Sequence, residues 1–316
     1  MNKYYPVKLE PVFKDYIWGG VRLREEYNKK CDMDRVAESW ELSAHKDGES
    51  RVLLDGREIG FSEYLELSGR DILGVNSAKY DYFPLLIKLI DAKGDLSVQV
   101  HPTDEYALRV EGEYGKTEMW YILDCDEGAS LYYGFKNEIT LEEYERAIRE
   151  NTLTDLLRRV KVKRGDVFFI PAGTVHAIGK GIVICEVQQN SNTTYRVYDY
   201  GRRDKDGNTR QLHIEKALEV SSLCPAEAAP DIAADSDALL CDCNYFRVER
   251  RRIIGKGELR VTADSFVSLI VTEGEGELKY KDVSIGFVKG DSIFIPAQSS
   301  EMEIVGDCTV IDSRVN

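Results

Sequence analysis

The sequence predicts a mainly β chain whose strands close into sandwiches or barrels. One observation is a series of short runs rich in β-branched and aromatic residues: FPLLIKLID (83–91), LSVQV (96–100), EMWYIL (118–123), ASLYYGF (129–135), DVFFIPA (166–172) and GIVICEVQQ (181–189). Gly, Asp and Asn punctuate them, as strand ends require, and many short strands in one region fit a closed or two-layer sheet. The other observation is a repeat. KRGDVFFIPAGTVHAI (163–178) aligns with VKGDSIFIPAQSSEMEI (288–304), with Gly165 on Gly290, Asp166 on Asp291 and Ile170-Pro171-Ala172 on Ile295-Pro296-Ala297. The later copy carries Glu301 in the position of His176. A duplicated unit that lost its histidine once predicts one active site and one supporting domain.

Helical signals are fewer. FSEYLELSGRDILG (61–74) predicts a helix entered at Ser62, and a short helix is expected after Pro102, with Thr103 and Asp104 at its start. TLEEYERAIRENTLTDLLRRV (140–160) is the clearest helical stretch. Thr140 with Glu143 forms a capping box, and Thr154 with Asp155 reads as a second start. SSLCPAEAAPDIAADSDALL (221–240) is rich in Ala, Pro and Asp and lacks strand character, so it reads as a linker. It divides residues 1–225 from 226–316. Beyond it, FRVERRRI, FVSLIVTEGEGELKY, VSIGFVKGDSIFIPA and MEIVGDCTVID supply another set of short strands.

A length of 316 residues allows one large or two medium domains, and 43% hydrophobic with 31% charged residues suits a soluble globular chain with a core. The net charge of −14 argues against nucleic acid or an anionic membrane as partner. It leaves room for a phosphorylated substrate, because a few Lys and Arg in a cleft set a local field opposite to the global one. No apolar run approaches the ~20 residues of a membrane span. The opening MNKYYPVKLEPVF has no signal-peptide core, so a cytoplasmic location is expected. Seven scattered cysteines suit reduced thiols, and the lone CxC of Cys241 and Cys243 has no second pair to make a zinc knuckle.

The chain has four histidines. In LSVQVHP, Leu96, Val98 and Val100 alternate with Ser97, Gln99 and His101, so period two puts Gln99 and His101 on one face. Glu118 opens another strand, and His176 follows IPAGTV, where proline and glycine turn the chain into a third. Two imidazoles, a carboxylate and an amide oxygen make a shell suited to Zn²⁺ with open positions for water or substrate. The same residues also read as partly buried core or surface side chains, the ordinary reading of His45 and His213. Spacing alone leaves both readings open for His101 and His176.

The string GDxxxIPAGTxH at 165–176 resembles the second motif of the cupins, double-stranded β-helix barrels that hold a metal near the barrel axis. Five further strings resemble the type I mannose-6-phosphate isomerases in their shorter bacterial form: YIWGG (16–20), ESWELSAH (38–45), LSVQVHPTDEYA (96–107), GKTEMWYIL (115–123) and EVQQNSNTTYRVYDYGR (186–202). They keep the family's order and span nearly the whole chain. VQVHP and NSNTTYRVYDYGR are the most specific.

The resemblance implies two cupin-type jelly-roll domains, with a few helices inserted in the N-terminal catalytic part (1–225) and a degenerate cupin-like β domain at 226–316. It implies one Zn²⁺ per chain on Gln99, His101, Glu118 and His176, and an active-site arginine at Arg196. Longer family members carry His-Lys-Pro-Glu where this chain has Gly115-Lys116-Thr117-Glu118, so a role for that histidine does not carry over. The implied reaction is the interconversion of D-mannose 6-phosphate and D-fructose 6-phosphate through an enediolate. A metal-binding cupin that binds a sugar or sugar phosphate without catalysis, an isomerase of a related sugar phosphate, and an iron-dependent cupin dioxygenase are the competing readings.

Glu186, ten residues before Arg196 as in the family, is the expected base, with burial raising its pKa toward a useful range. Its alternative is a salt bridge that only orients Arg196. Lys116 is expected to point to the strand face opposite Glu118, reaching the substrate from a strand end or bulge to bind it or relay a proton. Arg202, Arg203, Lys93 and Lys116 are candidates for the phosphate. Arg203, Lys205 and Arg210 otherwise read as a solvated polar hairpin turning at DKDGN. Tyr16, Trp40 and Trp120 read mainly as core, and Trp18 beside Gly19-Gly20 as a wall of the sugar cleft. A monomer or weak homo-oligomer is expected.

Overall fold

The computed structural model describes residues 3–203, 207–233 and 235–316. Antiparallel sheets dominate it, as two jelly-roll units. In the first, a six-stranded sheet runs in the order Val167–Ile170, Glu118–Cys125, Ile182–Gln189, Leu85–Ala92, Glu38–Leu42 and Val12–Lys14. It faces a five-stranded sheet ordered Leu157–Lys161, Ser130–Phe135, His176–Ala177, Val98–Val100 and Tyr195–Tyr198.

Alternation decides what fills the space between them. On the six-stranded sheet, Ile90, Ala92, Trp120, Ile122, Ile182 and Ile184 point inward and form one buried cluster with Leu131 and Phe168. Their neighbours Ile87, Leu89, Met119, Tyr121, Val183 and Cys185 point outward into a second cluster shared with Leu9, Phe61, Phe266 and Phe294. Both faces of Leu85–Ala92 and Ile182–Gln189 are therefore buried. Toward one end of the barrel the inward residues change character: Ile90 gives way to Lys88, Ile184 to Glu186, and Trp120 to Glu118. The apolar floor and the polar mouth lie on the same strand faces.

The nine-stranded sheet contains all the strands from Ala238 onward, and Val7–Glu10, Arg51–Leu54 and Arg57–Gly60 extend it. Val7–Glu10 pairs with Ser292–Ile295. The domain boundary at 225/226 stays a proposal, and the sheets are not divided there. The repeat is visible in three dimensions. Val167–Ile170 and Ser292–Ile295 occupy matching positions. Gly165 and Gly290 have φ of 91° and 96°, where only glycine is unstrained. Asp166 accepts the N–H of Lys163 at 2.9 Å, and Asp291 that of Val288 at 2.8 Å.

The capping box of Thr140 and Glu143 is present, on the helix Leu141–Arg149. The expected continuation is not. Asn151 turns out of the helix at φ 59°, Leu153–Leu156 makes one short turn without a side-chain cap, and Leu157–Lys161 is a strand paired with Ser130–Phe135. Pairing with the barrel overrides the helical preference of LLRR. The helix Phe61–Ser68 starts one residue before Ser62, with Gly60 as its N-cap. Asp104–Val110 follows Thr103 as expected. Described residues 221–237 contain no helix or strand. Of the DKDGN turn, Asp204, Lys205 and Asp206 lie outside the described residues, and Arg203 bridges Thr209 beside it. No described helix is long and apolar enough to cross a membrane.

Candidate metal centre and active-site cavity

At the polar mouth, His101, Glu118 and His176 bring their ligand atoms within 4.8 Å of one another, the one such His/Cys/Asp/Glu group among the described residues. Sheet order does this. His176 lies opposite Gln99 on one side, and Arg196 lies opposite Gln99 on the other. Glu118, on the facing sheet, reaches across with Oε1 3.3 Å from His176 Nε2 and Oε2 3.6 Å from His101 Nε2.

The imidazole tautomers follow from their partners. His101 Nδ1 lies 3.0 Å from the carbonyl of Thr193, and His176 Nδ1 lies 2.8 Å from that of Thr174. A carbonyl only accepts, so each Nδ1 carries the proton and each Nε2 presents a lone pair toward Glu118. Burial keeps both rings neutral, pushing His176 down to about 4 and His101 well below its usual range. Both oxygens of Glu118 are buried, Oε1 has no hydrogen-bond donor, and burial pushes its carboxyl up to about 7.

A buried carboxylate oxygen that has no donor and faces an imidazole lone pair is expensive unless a cation completes it. Ligand atoms of a tetrahedral zinc site, with bonds of ~2.0–2.1 Å, sit about 3.3 Å apart, which the Glu118–His176 spacing matches. The carboxamide of Gln99 lies 3.3 Å from His176 Nε2, and a half-turn of that amide aims its oxygen into the same space. The four residues fit a zinc ion.

Lys116 corrects the expectation that it faces away from Glu118. Positions two apart share a strand face, and residue 116 lies just before the strand. Its Nζ is 2.9 Å from Glu118 Oε2, 3.2 Å from His101 Nε2 and 3.9 Å from Glu186 Oε1. The bend carrying it is clamped on both sides. Asp104 Oδ1 accepts the N–H of Gly115 (2.7 Å) and a Gln189 amide hydrogen (2.9 Å), while Gln189 Oε1 accepts the N–H of Thr117 (2.9 Å).

Gln99 and Lys116, which touch this cluster, line a cavity of about 280 Å³. Gln99, Lys116, Glu186, Arg196 and Trp18 all line it, as does Tyr16, whose ring lies 5.5 Å from that of Trp18 and is tilted 32° to it. Trp40 and Trp120 are core residues behind it. The lining holds four cations, Lys88, Lys116, Arg196 and Arg210, against two carboxylates, Glu38 and Glu186. A chain of net charge −14 thus keeps a positive cleft.

Glu186 is buried, its Oε2 accepts from Trp120 Nε1 at 2.9 Å, and its Oε1 lies 3.2 Å from Lys88 Nζ and 3.9 Å from Lys116 Nζ. The expected upward shift does not occur. Burial pushes its carboxyl up, but Lys116 and Lys88 outweigh burial and hold it well below the usual carboxylate range. Nor does it orient Arg196, which instead donates to Ser97 Oγ (3.1 Å) and the Gln211 carbonyl (3.1 Å) and has its backbone N–H on His213 Nδ1 (3.2 Å).

Lys88 and Glu38 were not singled out in the sequence. Lys88 Nζ lies 3.2 Å from Glu186 and 3.7 Å from Glu38, over the ring of Trp40. The available signal was one lysine inside the apolar run FPLLIKLI, in phase with Ile90. Arg210, expected to be solvated, lines the cavity and is held by Asp199 at 2.8 Å. Of the phosphate candidates, only Lys116 lines the cavity. Arg202 is tied to Asp199, and Arg203 and Lys93 are exposed.

A jelly-roll barrel with a buried His–Glu–His group at its mouth is a cupin with the means to hold a metal ion. Residues 7–128 match the model of the phosphomannose isomerase type I catalytic domain, and residues 237–315 match that of the mannose-6-phosphate isomerase cupin domain. The chain is 42% identical to the Bacillus subtilis mannose-6-phosphate isomerase ManA, over 98% of this chain and 99% of that protein. It superposes on the crystal structure of the mannose 6-phosphate isomerase from Bacillus subtilis with a TM-score of 0.88 at 39% identity, covering 98% and 99% of the two chains. A zinc-bound mannose 6-phosphate isomerase shares the fold at a TM-score of 0.81 and 18% identity, over 98% and 99%. The chain belongs to the type I mannose-6-phosphate isomerase family.

Proposed function

We infer that this chain is a zinc-dependent aldose–ketose isomerase that interconverts D-mannose 6-phosphate and D-fructose 6-phosphate. The observation that carries the reading is the convergence of Gln99, His101, Glu118 and His176 beside a cationic cavity that Gln99 lines, in a chain of this family. Those four residues hold one zinc ion per chain. Bound there, zinc supplies Lewis acidity that stabilises negative charge on the C1 and C2 oxygens of the open-chain sugar.

The remaining roles belong to the chain's own side chains. Glu186 takes the proton from C2 of the aldose, and the C–H electron pair becomes the C1–C2 double bond of the enediolate. The same carboxyl returns a proton to C1, which gives the ketose. Two facts support this assignment: Glu186 lines the cavity, and Lys88 and Lys116 beside its Oε1 keep it ionised and able to accept a proton. Lys116 donates to the oxygens where charge develops and carries the hydroxyl proton between them. Arg196 adds positive charge on the same side. Arg210, at the same cavity, offers a fork of donors to the phosphate. Trp18 and Tyr16 cover an apolar face of the sugar.

No nucleic acid or membrane partner is part of this reading. A cytoplasmic location and a monomeric or weakly associated state complete it. The test is a coupled assay of mannose 6-phosphate isomerisation with and without a chelator. Activity lost on chelation, restored by zinc and abolished in His101→Ala is expected. Full activity in metal-free protein would sink the proposal.

A further inference from the structure

The two imidazoles of the metal group are anchored in unequal ways. The Thr174 carbonyl that holds His176 belongs to the IPAGT turn, closed by the Thr174 N–H on the Pro171 carbonyl at 3.1 Å. The Thr193 carbonyl that holds His101 belongs to residues 191–194, which have no regular structure. Two carboxylates hold the 191–194 segment: Asp47 Oδ2 accepts the Asn192 side-chain amide (2.8 Å), and Glu113 alone reaches both Asn192 and Thr193. Its Oε2 accepts the N–H of Asn192 (3.3 Å) and the hydroxyl of Thr193 (3.2 Å). Its Oε1 meets Lys46 Nζ at 2.6 Å and lies 3.6 Å from His45 Nε2. Glu113 does not line the cavity and touches no ligand.

We propose that Glu113 is a positioning residue that seats the Thr193 carbonyl on His101 and thereby sets the zinc affinity of the site. The inference rests on the zinc reading above. A ligating imidazole turns about its own bonds unless its second nitrogen is held, and outer partners of this kind are worth roughly 10–100-fold in metal affinity. Lys46 and His45 hold Glu113 from the side away from the site, so the latch joins the Ala44–His45 and Gly48–Glu49 hairpin to the metal group.

The experiment measures the zinc dissociation constant of the full chain by competition with a chromogenic chelator, alongside the melting temperature of each metal-free protein. Glu113→Ala is expected to bind zinc about tenfold more weakly, with metal-free melting close to wild type. Glu113→Gln is expected to keep most of the affinity, because an amide oxygen still accepts from Asn192 and Thr193. Thr193→Val removes one of the two bonds and is expected to fall between them. It also decides the matter if Glu113→Ala does not fold. Wild-type affinity in the Ala and Val variants, or a loss matched by a collapse in metal-free melting, overturns the proposal. Wild-type protein that binds no zinc overturns the metal reading itself.

Discussion

Lys88 and Glu186 sit directly opposite each other on neighbouring antiparallel strands, with Lys88 Nζ 3.2 Å from Glu186 Oε1. Both are buried, and among the described residues Lys116 is the other cation within 4 Å of this carboxylate. Glu186 is therefore ionised at any physiological pH because two ammonium groups outweigh its burial. Replacing Lys88 by Met removes one of them. The charged form of Glu186 loses support, so its pKa rises and the acid limb of the kcat/KM profile moves to higher pH. A fall of about 10²-fold in kcat/KM at neutral pH is expected from this loss. An unshifted limb in the variant would show that Glu186 is not the group titrating in catalysis.

Much of this arrangement was legible because β-structure writes its faces into the sequence. LSVQVHP alternates cleanly, and Gln99 and His101 do share the face that alternation assigns them. The GDxxxIPAGTxH repeat marked both jelly rolls, since the glycine at positive φ and the aspartate turn recur in each. Lys88, Glu38 and Glu186 were harder to join. They come from strands distant in sequence, and only the sheet order Ile182–Gln189, Leu85–Ala92, Glu38–Leu42 makes them neighbours. Leu157–Lys161 was misread because leucine and arginine favour helices locally, while the pairing that makes them a strand is tertiary. The depressed pKa of Glu186 depends on two lysines from other segments, which no local pattern reports.

Gly115 lies in a bend whose packing leaves no room for a side chain. A Cβ there would lie 2.5 Å from the backbone nitrogen of Asp104 and 2.5 Å from the carbonyl carbon of Thr103. Both are backbone atoms at the start of the helix Asp104–Val110, so neither yields cheaply. Gly115→Ala is expected to cost about 1–3 kcal/mol of stability by overpacking. It should also lower kcat, because the Asp104 and Gln189 clamp that sets Lys116 is displaced. Denaturant unfolding together with steady-state kinetics checks both. A variant as stable and active as wild type would show that the bend has slack.

The metal-free site binds protons unequally, and this sets the pH dependence of zinc affinity. Burial holds the imidazoles neutral, with His176 near 4, whereas burial keeps a proton on Glu118 up to about 7. Zinc needs the carboxylate, so below pH 7 it must displace that one proton. Apparent affinity is expected to fall about tenfold per pH unit between 7 and 5, and more steeply only near 4, where His176 also titrates. Chelator competition across this range measures it. A flat profile from 7 to 5 would mean that Glu118 has ordinary acidity.

The second jelly roll offers a control on what makes the first a metal site. Glu301 takes the place of His176, so Glu301→His restores the lost imidazole of the repeat. Restoring one ligand does not restore the rest. Glu301 is exposed on the long strand Ser300–Val315, and the groove beside it is lined by Arg247, Arg251, Arg260 and Arg314 with Glu249 and Glu258. Arg247 and Arg251 are tied to Glu249, and Arg251 and Arg314 to the buried Asp312. Among the described residues no histidine and no buried carboxylate oxygen without a donor lies there, and four guanidinium groups repel a divalent cation. The Glu301→His chain is therefore expected to bind one zinc ion, as wild type does, by metal analysis of dialysed protein. Two equivalents would show that a single histidine suffices to make this fold a metal site, and the donor-free Oε1 of Glu118 would then lose its place as the deciding feature of the first barrel.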